Sequence, residues 1–201
     1  MRLPMLRFYG LPSDLAAWRQ QRDRIRGAIL ERGYSAAAGA FAQAFDSTDL
    51  DASVLLMPLV GFLPIDDPRS AATITAIQER LTRGGLVYRY LASDALPGSE
   101  GAFSICTFWL IDCLTFAGRL EDAHALFERM LTYANDLGLY SEEINPTTGE
   151  FLGNFPQGFT HIAFINAAVN LEKASRNAVG LASEHVVSTS RAGHEPTPLT
   201  Q

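Results

Sequence analysis

The chain has 201 residues, of which 47% are hydrophobic and 19% charged, and this composition is typical of a folded globular protein rather than a disordered one. The net charge of −6 argues against binding to nucleic acid or to an anionic membrane through bulk charge, and no basic stripe is present in the sequence. The N-terminus lacks the continuous apolar segment of a secretory signal. We therefore expect one cytoplasmic domain with neither nucleic acid nor a membrane as a partner.

The longest apolar segment, residues 101–118, is too short and too interrupted for a membrane span, because Asp112 lies near its middle. A buried core helix is expected instead. Cys106 and Cys113 lie on this helix, about 10 Å apart along its axis, which is too far for a disulfide. Reduced cysteines fit a cytosolic protein. The four histidines are scattered, so no metal and no cofactor is expected.

Apolar periodicity predicts six helices, over residues 14–32, 51–64, 67–83, 101–117, 119–136 and 156–176. The stripe of the first helix contains Leu15, Trp18, Ile25 and Ile29. Pro58 should kink or shorten the second helix. After about residue 183 the chain becomes polar, which predicts a disordered tail over residues 183–201.

The predicted helices alternate between two kinds. The first, third and fifth have one apolar face, whereas the second, fourth and sixth are apolar on most faces. Two concentric layers explain this alternation better than a plain bundle, in which all helices would be similarly amphipathic. The pattern therefore predicts an all-α fold of the α/α barrel or toroid type. The long loops precede the three inner helices, so a functional site is expected at one end.

Carboxylates, an arginine and aromatic rings converge in those loops. The residue types suit a polyhydroxylated ligand, and glycoside hydrolysis needs two carboxyl groups that flank the scissile bond. Residue types alone leave a solvated acidic loop as the commoner interpretation. Three other polar or aromatic residues are expected to have structural roles: Trp109 in the core, His161 as a hydrogen-bonded core histidine, and Asp112 as a hydrogen-bonded buried acid.

Several motifs resemble those of glycoside hydrolase family 15, which includes glucoamylases, glucodextranases and bacterial and archaeal trehalases. The resemblance extends to about residue 175 and is most specific in its last motif. The motifs are LDAS at 50–53, GFLPIDDPR at 61–69, GLVYRY at 85–90, GSEGAFSICTFWL at 98–110 and GLYSEEINPTTGEFLGNFPQGFTHIAFINAA at 138–168.

This resemblance implies a barrel of six α/α hairpins and an inverting hydrolysis of α-glucosidic bonds. It implies Glu142 as the general base, because a glutamate followed by Gln or Glu occupies that loop in the family. Neighbouring residues of an extended strand face opposite sides, so Glu143 should hydrogen-bond the loop or face solvent, and it is kept among the candidate substrate-binding residues. Arg89 and Tyr90 match a pair that lines the subsite for the released glucosyl unit. Glu100 and Phe103 match further pocket-lining positions.

The family's general acid belongs to a motif upstream of everything matched here. The resemblance therefore implies about half of a barrel, with residues 1–182 as the C-terminal portion of a glycosidase domain. The expected partners are an α-glucoside, such as an oligosaccharide or trehalose, and the missing half or another chain. The alternatives are a non-catalytic helical module that binds sugar or protein, and an inactive truncated remnant.

Overall fold

The computed structural model describes residues 14–92 and 100–191, with side-chain surroundings as far as residue 178. Six α-helices and one 3₁₀ helix occur in this part of the chain. The α-helices are α1 (Leu15–Arg32), α2 (Leu56–Leu59), α3 (Pro68–Arg80), α4 (Ser104–Phe116), α5 (Leu120–Leu131) and α6 (Gly158–Arg191), and the 3₁₀ helix (Ala52–Leu55) precedes α2.

The helix boundaries follow local signals in the sequence. The Asp67 carboxylate accepts the Arg69 N–H at the start of α3, and Pro68 occupies the first helical position. Gly33 ends α1, where its N–H donates to the carbonyl of Ile29. The second predicted helix is reduced to the 3₁₀ helix and α2, as Pro58 indicated.

The all-α prediction misses three small antiparallel sheets. The strands are β1 (Tyr34–Ser35), β2 (Ala40–Phe41), β3 (Thr82–Arg83), β4 (Leu86–Val87), β5 (Ala102–Phe103), β6 (Glu143–Ile144) and β7 (Phe151–Leu152). They pair as β1–β2, β3–β4 and β5–β6–β7. Each strand has only two residues, which is too short for the alternating pattern that identifies strands in a sequence.

Helix α4 forms the centre of the core. Ten of its 13 residues are buried, and it packs against both α5 and α6. Phe108 of α4 is fully buried, with its ring centroid 5.8 Å from that of Tyr140 and 5.6 Å from that of Phe164. The prediction that this apolar segment is a buried helix is therefore confirmed. Within residues 14–92 and 100–191, no helix combines the length and apolar character needed to cross a bilayer.

Helix α6 is buried on one side only. Ala163, Ala167 and Leu171 face the core. On the opposite side α6 exposes an apolar row, here named the α6 stripe, which consists of Phe159, Ile162, Ile165 and Val169. The residues are spaced three or four apart, so they share one helix face. The expectation that this helix is buried on both sides is therefore not met within the described residues, where the α6 stripe is 44–71% exposed.

Helix α1 does not behave as its sequence predicts. None of its residues is buried, and Trp18 and Ile25 are 46% and 60% exposed. Half of the expected apolar stripe is therefore exposed, whereas Leu15 and Ile29 are partly buried. Asp14 caps the helix by accepting the N–H of Ala17 at 2.9 Å.

The predicted disordered tail requires a correction over residues 183–191. Helix α6 continues to Arg191, beyond the expected end at residue 176. The remainder of the predicted tail, residues 192–201, lies outside the described residues.

The buried carboxyl of Asp112 on α4 gives a testable effect on stability. Burial raises its pKa, while the Asn170 side-chain amide, which donates to it at 2.9 Å, has the weaker opposite effect. An acid with a raised folded-state pKa binds its proton more tightly when folded, so its contribution to stability is present at low pH and is lost as the pH rises through that pKa. We expect Asp112→Asn to gain stability relative to the parent chain as the pH rises from 4 to 7, as measured by urea unfolding.

Asp122→Asn is the matched control for this experiment. Asp122 is half-exposed in a surface ion pair with Arg119, and such pairs contribute little to the free energy of unfolding. A pH-dependent gain of equal size in both variants would contradict the role given to Asp112.

Candidate active site

A three-stranded sheet brings the two candidate glutamates next to the start of α4. In β5–β6–β7, Phe103 pairs with Glu143, and Glu143 pairs with Leu152. The turn between β6 and β7 is closed by the Asn145 side chain, whose Oδ1 accepts the N–H groups of Thr147 and Thr148 at 2.9 and 3.2 Å. Asx turns of this kind explain why Asn, Thr and Gly occur together here.

A cleft of about 280 Å³ opens beside this sheet, and we name it the Glu142 cleft. It lies where the N-terminal turns of α4 and α6 meet the loop before β6. Its walls are mainly apolar with a few polar groups, which is the usual composition of a ligand site. The lining residues are Ser53, Arg89, Phe103, Ile105, Cys106, Trp109, Glu142, Gln157, Phe159 and Thr160.

Glu142 is held in the cleft by Asn154. Its Oε2 accepts the backbone N–H of Asn154 at 3.0 Å and the side-chain amide of the same residue at 2.7 Å. The backbones are also joined, because the Glu142 N–H donates to the Asn154 carbonyl at 2.9 Å. The Glu142 carbonyl accepts the N–H of Ser104 at the start of α4. Both its backbone and one carboxylate oxygen are thus fixed.

The Glu143 carboxylate instead binds the backbone of the loop before α4. Its Oε2 accepts the Gly101 N–H at 2.8 Å, and it does not line the cleft. This agrees with the expected alternation of neighbouring side chains in a strand. Burial raises the pKa of Glu143, and the nearby carboxylates of Glu100 and Glu142 raise it further, against the opposing effect of the Gly101 hydrogen bond.

Arg89 also lines the cleft. Its Nε lies 3.8 Å from Oδ2 of Asp51, a nearly buried carboxylate that also caps the 3₁₀ helix through the Ser53 N–H at 2.7 Å. The Arg89 carbonyl accepts the Ala52 N–H at 2.7 Å. Asp51 therefore orients a guanidinium group whose side chain is still 53% exposed and available to a ligand.

The other predicted site residues fall in different places. Phe103 lines the cleft together with Glu142 and Arg89. Tyr90 follows Arg89 in the sequence but is not a lining residue, and its ring centroid lies 5.6 Å from the Arg89 guanidinium carbon. Glu100 is exposed and also lies outside the lining.

Seven of the ten lining residues were not identified as site residues from the sequence, and Trp109, Gln157 and Phe159 are among them. Trp109 was expected in the core; it packs against the core but is only partly buried, and it also lines the cleft with Gln157 and Phe159. Trp109 lies one helical turn after Ile105, so a search for residues that share the face at the start of α4 would have found it. Gln157 and Phe159 are similarly placed at the start of α6.

The other two structural interpretations agree with the geometry. Both ring nitrogens of His161 have partners, since Nε2 accepts the Tyr140 N–H at 3.2 Å and Nδ1 lies 2.7 Å from the Gln157 carbonyl oxygen. Asp112 is hydrogen-bonded to Asn170. Burial raises the pKa of the Cys106 thiol, so this lining residue is unsuited to act as a nucleophile.

The arrangement has the components of one side of a glycosidase site. A fixed carboxylate can accept a proton from water, a guanidinium can donate to sugar hydroxyls, and aromatic rings can pack on a sugar face. Glu142 is the only carboxylate among the lining residues that the structure describes. Nor do the described residues include a group of three or more His, Cys, Asp or Glu side chains that could hold a metal ion.

Comparison with solved structures shows the fold. A wild-type glycosidase matches 78% of this chain with a TM-score of 0.66 at 24% sequence identity, and the match covers 44% of that protein. A glycosidase variant solved in complex with glucose matches to the same extent.

The sequence relatives are trehalases. The trehalase of Mycolicibacterium smegmatis is 47% identical over 172 residues, which are 84% of this chain and 26% of that enzyme. The trehalase of Mycobacterium tuberculosis is 48% identical over the same length and is covered to 25%, and that of Thermoplasma acidophilum is 39% identical over 173 residues and is covered to 30%. The chain thus spans between a quarter and a third of the length of these relatives.

The family comparison covers most of the chain. The family described as "Glycosyl hydrolases family 15" matches residues 4–169, which contain every lining residue of the Glu142 cleft. The chain belongs to glycosyl hydrolase family 15.

Proposed function

We propose that this chain forms the base-bearing side of the active site of an inverting α-glucoside hydrolase, with Glu142 as the general base. The observation that carries the proposal is the Glu142 carboxylate, which is fixed by Asn154 in a cleft that also contains Arg89 and aromatic rings. Trehalose is the first substrate to test because the similar curated proteins are trehalases. A cytoplasmic location is consistent with two buried, unpaired cysteines.

The general acid would come from a complementary helical segment, in the same or a separate polypeptide. In an inverting glycosidase the two carboxyl groups stand roughly 6.5–9.5 Å apart, so that a water fits between the base and the sugar. The α6 stripe supports such a segment, since Phe159 belongs both to this exposed row and to the cleft lining. The described helices would then form about half of an α/α barrel, closed by a second set of helices on α6.

A chimera tests this proposal directly. Residues 4–175 of this chain would replace the matched segment of the Mycolicibacterium smegmatis trehalase, and release of glucose from trehalose and from maltose would be measured. We expect the chimera to hydrolyse an α-glucoside and the 201-residue chain alone to show little turnover. A folded chimera that binds glucose but hydrolyses neither disaccharide would contradict the catalytic proposal.

The single lining carboxylate favours one second candidate, a non-catalytic sugar-binding module. Among the described residues the Glu142 cleft has the groups for binding but only one of the two carboxyls for hydrolysis. Saturable glucose binding by the chain, combined with an inactive chimera, would support this candidate. An insoluble or molten chain that binds no sugar would instead identify an inactive remnant.

Binding of glucose by the 201-residue chain should depend on Arg89. We expect Arg89→Ala to weaken glucose affinity by about 10-fold or more, because a hydrogen bond to a charged group contributes about 1.5–3 kcal/mol. An NMR titration measures the dissociation constant. Arg22→Ala is the control, since Arg22 is half-exposed on α1, lies outside the cleft lining and forms an ion pair with its neighbour Asp23. Equal affinity in the parent and the Arg89 variant would exclude Arg89 from the sugar site.

A further inference from the structure

The two hydrogen bonds that Asn154 makes to Glu142 converge on one carboxylate oxygen. Oε2 accepts both the backbone and the side-chain N–H of Asn154, at 3.0 and 2.7 Å. In the described part of the chain, Oε1 has no hydrogen-bond partner, although Glu142 lines the cleft. The two oxygens are therefore different: one is bound to the protein and the other is available to a water or ligand.

The preceding residue makes this contact possible. Gly153 has φ of +70°, a conformation that a residue with a side chain rarely adopts. A Cβ at position 153 would lie 2.9 Å from Oε2 and 3.0 Å from Cβ of Glu142, closer than such atoms normally approach. The absent side chain lets the Glu142 carboxylate lie directly against the chain at 153–154. Two independent features, a donor pair and a close approach, thus fix the same carboxylate.

We propose that Asn154 is a positioning residue, which occupies Oε2 of Glu142 and so leaves Oε1 as the oxygen that accepts a proton from water. The inference deepens the proposed function and rests on Glu142 as the base. A carboxylate fixed in one rotamer is already oriented for the attacking water, whereas a free glutamate would have to lose rotamer freedom in each catalytic cycle. Asn154 itself does not touch the substrate.

The rotamer of Glu142 in the full 201-residue chain gives the first test, and it requires no activity. Three-bond NMR couplings report χ1 and χ2 of this side chain. We expect the parent chain to show the couplings of a single staggered rotamer, and Asn154→Ala to show averaged couplings. Asn154→Asp is the second variant: it keeps the shape of the side chain but replaces the amide donor with a carboxylate that repels Glu142.

Asn170→Ala is the matched control, because it removes the same kind of amide-to-carboxylate hydrogen bond, at Asp112, away from the cleft lining. It should leave the couplings of Glu142 unchanged. Averaged couplings in the parent chain, or unchanged couplings in both Asn154 variants, would overturn the inference.

Kinetics in the trehalase chimera separate this inference from the proposed function. We expect Asn154→Ala to lower kcat by about 10- to 100-fold and to leave KM within about twofold, which is the effect of a misplaced base on a correctly bound substrate. Unchanged kcat in a variant with averaged couplings would overturn the positioning role. If Glu142→Gln left kcat unchanged, the proposed base would be wrong, and the couplings would still decide whether Asn154 holds this side chain.

Discussion

In the trehalase chimera, Glu142→Gln is expected to lower kcat by about 10²- to 10⁴-fold with little change in KM. A glutamine has nearly the same shape and can still accept the Asn154 hydrogen bonds through its carbonyl oxygen, but it cannot take a proton from water. The loss should therefore equal the contribution of one general base. Steady-state release of glucose from trehalose measures both constants.

Glu143→Gln, at the next residue, is the control for Glu142→Gln. The Glu143 carboxylate accepts the Gly101 N–H, and a glutamine oxygen can do the same, so we expect kcat to remain within about tenfold of the parent. A large loss in the Glu143 variant together with near-normal kcat in the Glu142 variant would reverse the assignment of the two residues.

The placement of these two glutamates shows what could be predicted from the sequence. Glu142 and Glu143 lie in one contiguous motif, and strand alternation alone indicates that only one of them can face a pocket. Arg89 and Phe103 were likewise identified from short motifs, and the structure brings both to the Glu142 cleft. Site residues that belong to a contiguous motif can therefore be identified from the sequence.

Residues that reach the cleft only through contacts between separate segments were not identified from the sequence. Trp109 and Phe159 belong to apolar helices, where aromatic residues are usually in the core, and they reach the cleft only because the first turns of α4 and α6 converge. Asn154 was not selected at all, since its role follows from a 2.7 Å contact across the β6–β7 ribbon. Such contacts depend on register and turn geometry, which composition does not specify.

The apolar periodicity of the helices was a limited guide to their burial, for a different reason. Periodicity indicates which face of a helix is suited to packing, but it does not say whether a partner is present. For α4 both faces are covered, so the prediction of a buried helix holds. For α1 and the α6 stripe, large apolar side chains are exposed in the described part of the chain, which periodicity alone does not indicate.

Replacing Phe108 with alanine should have the largest effect on stability, about 3–5 kcal/mol of the free energy of unfolding. The ring is fully buried on α4, and its contacts with Tyr140 and Phe164 join α4 to α6 and to the segment before Glu142. The variant loses both the transfer free energy of the ring and the packing around the cavity that it leaves. Since small domains are stable by only about 5–15 kcal/mol, a large part of the total would be removed.

The same helix provides the control for this experiment. Phe116 is at the end of α4 and is 49% exposed, so Phe116→Ala should change the free energy of unfolding by about 0.5 kcal/mol or less. Urea unfolding followed by circular dichroism measures both variants against the parent chain.

The Tyr140 backbone accepts the Gln157 N–H and donates to His161, so loss of Phe108 should also loosen the loop that carries Glu142. Equal, small effects at positions 108 and 116 would show that α4 is not the centre of the core.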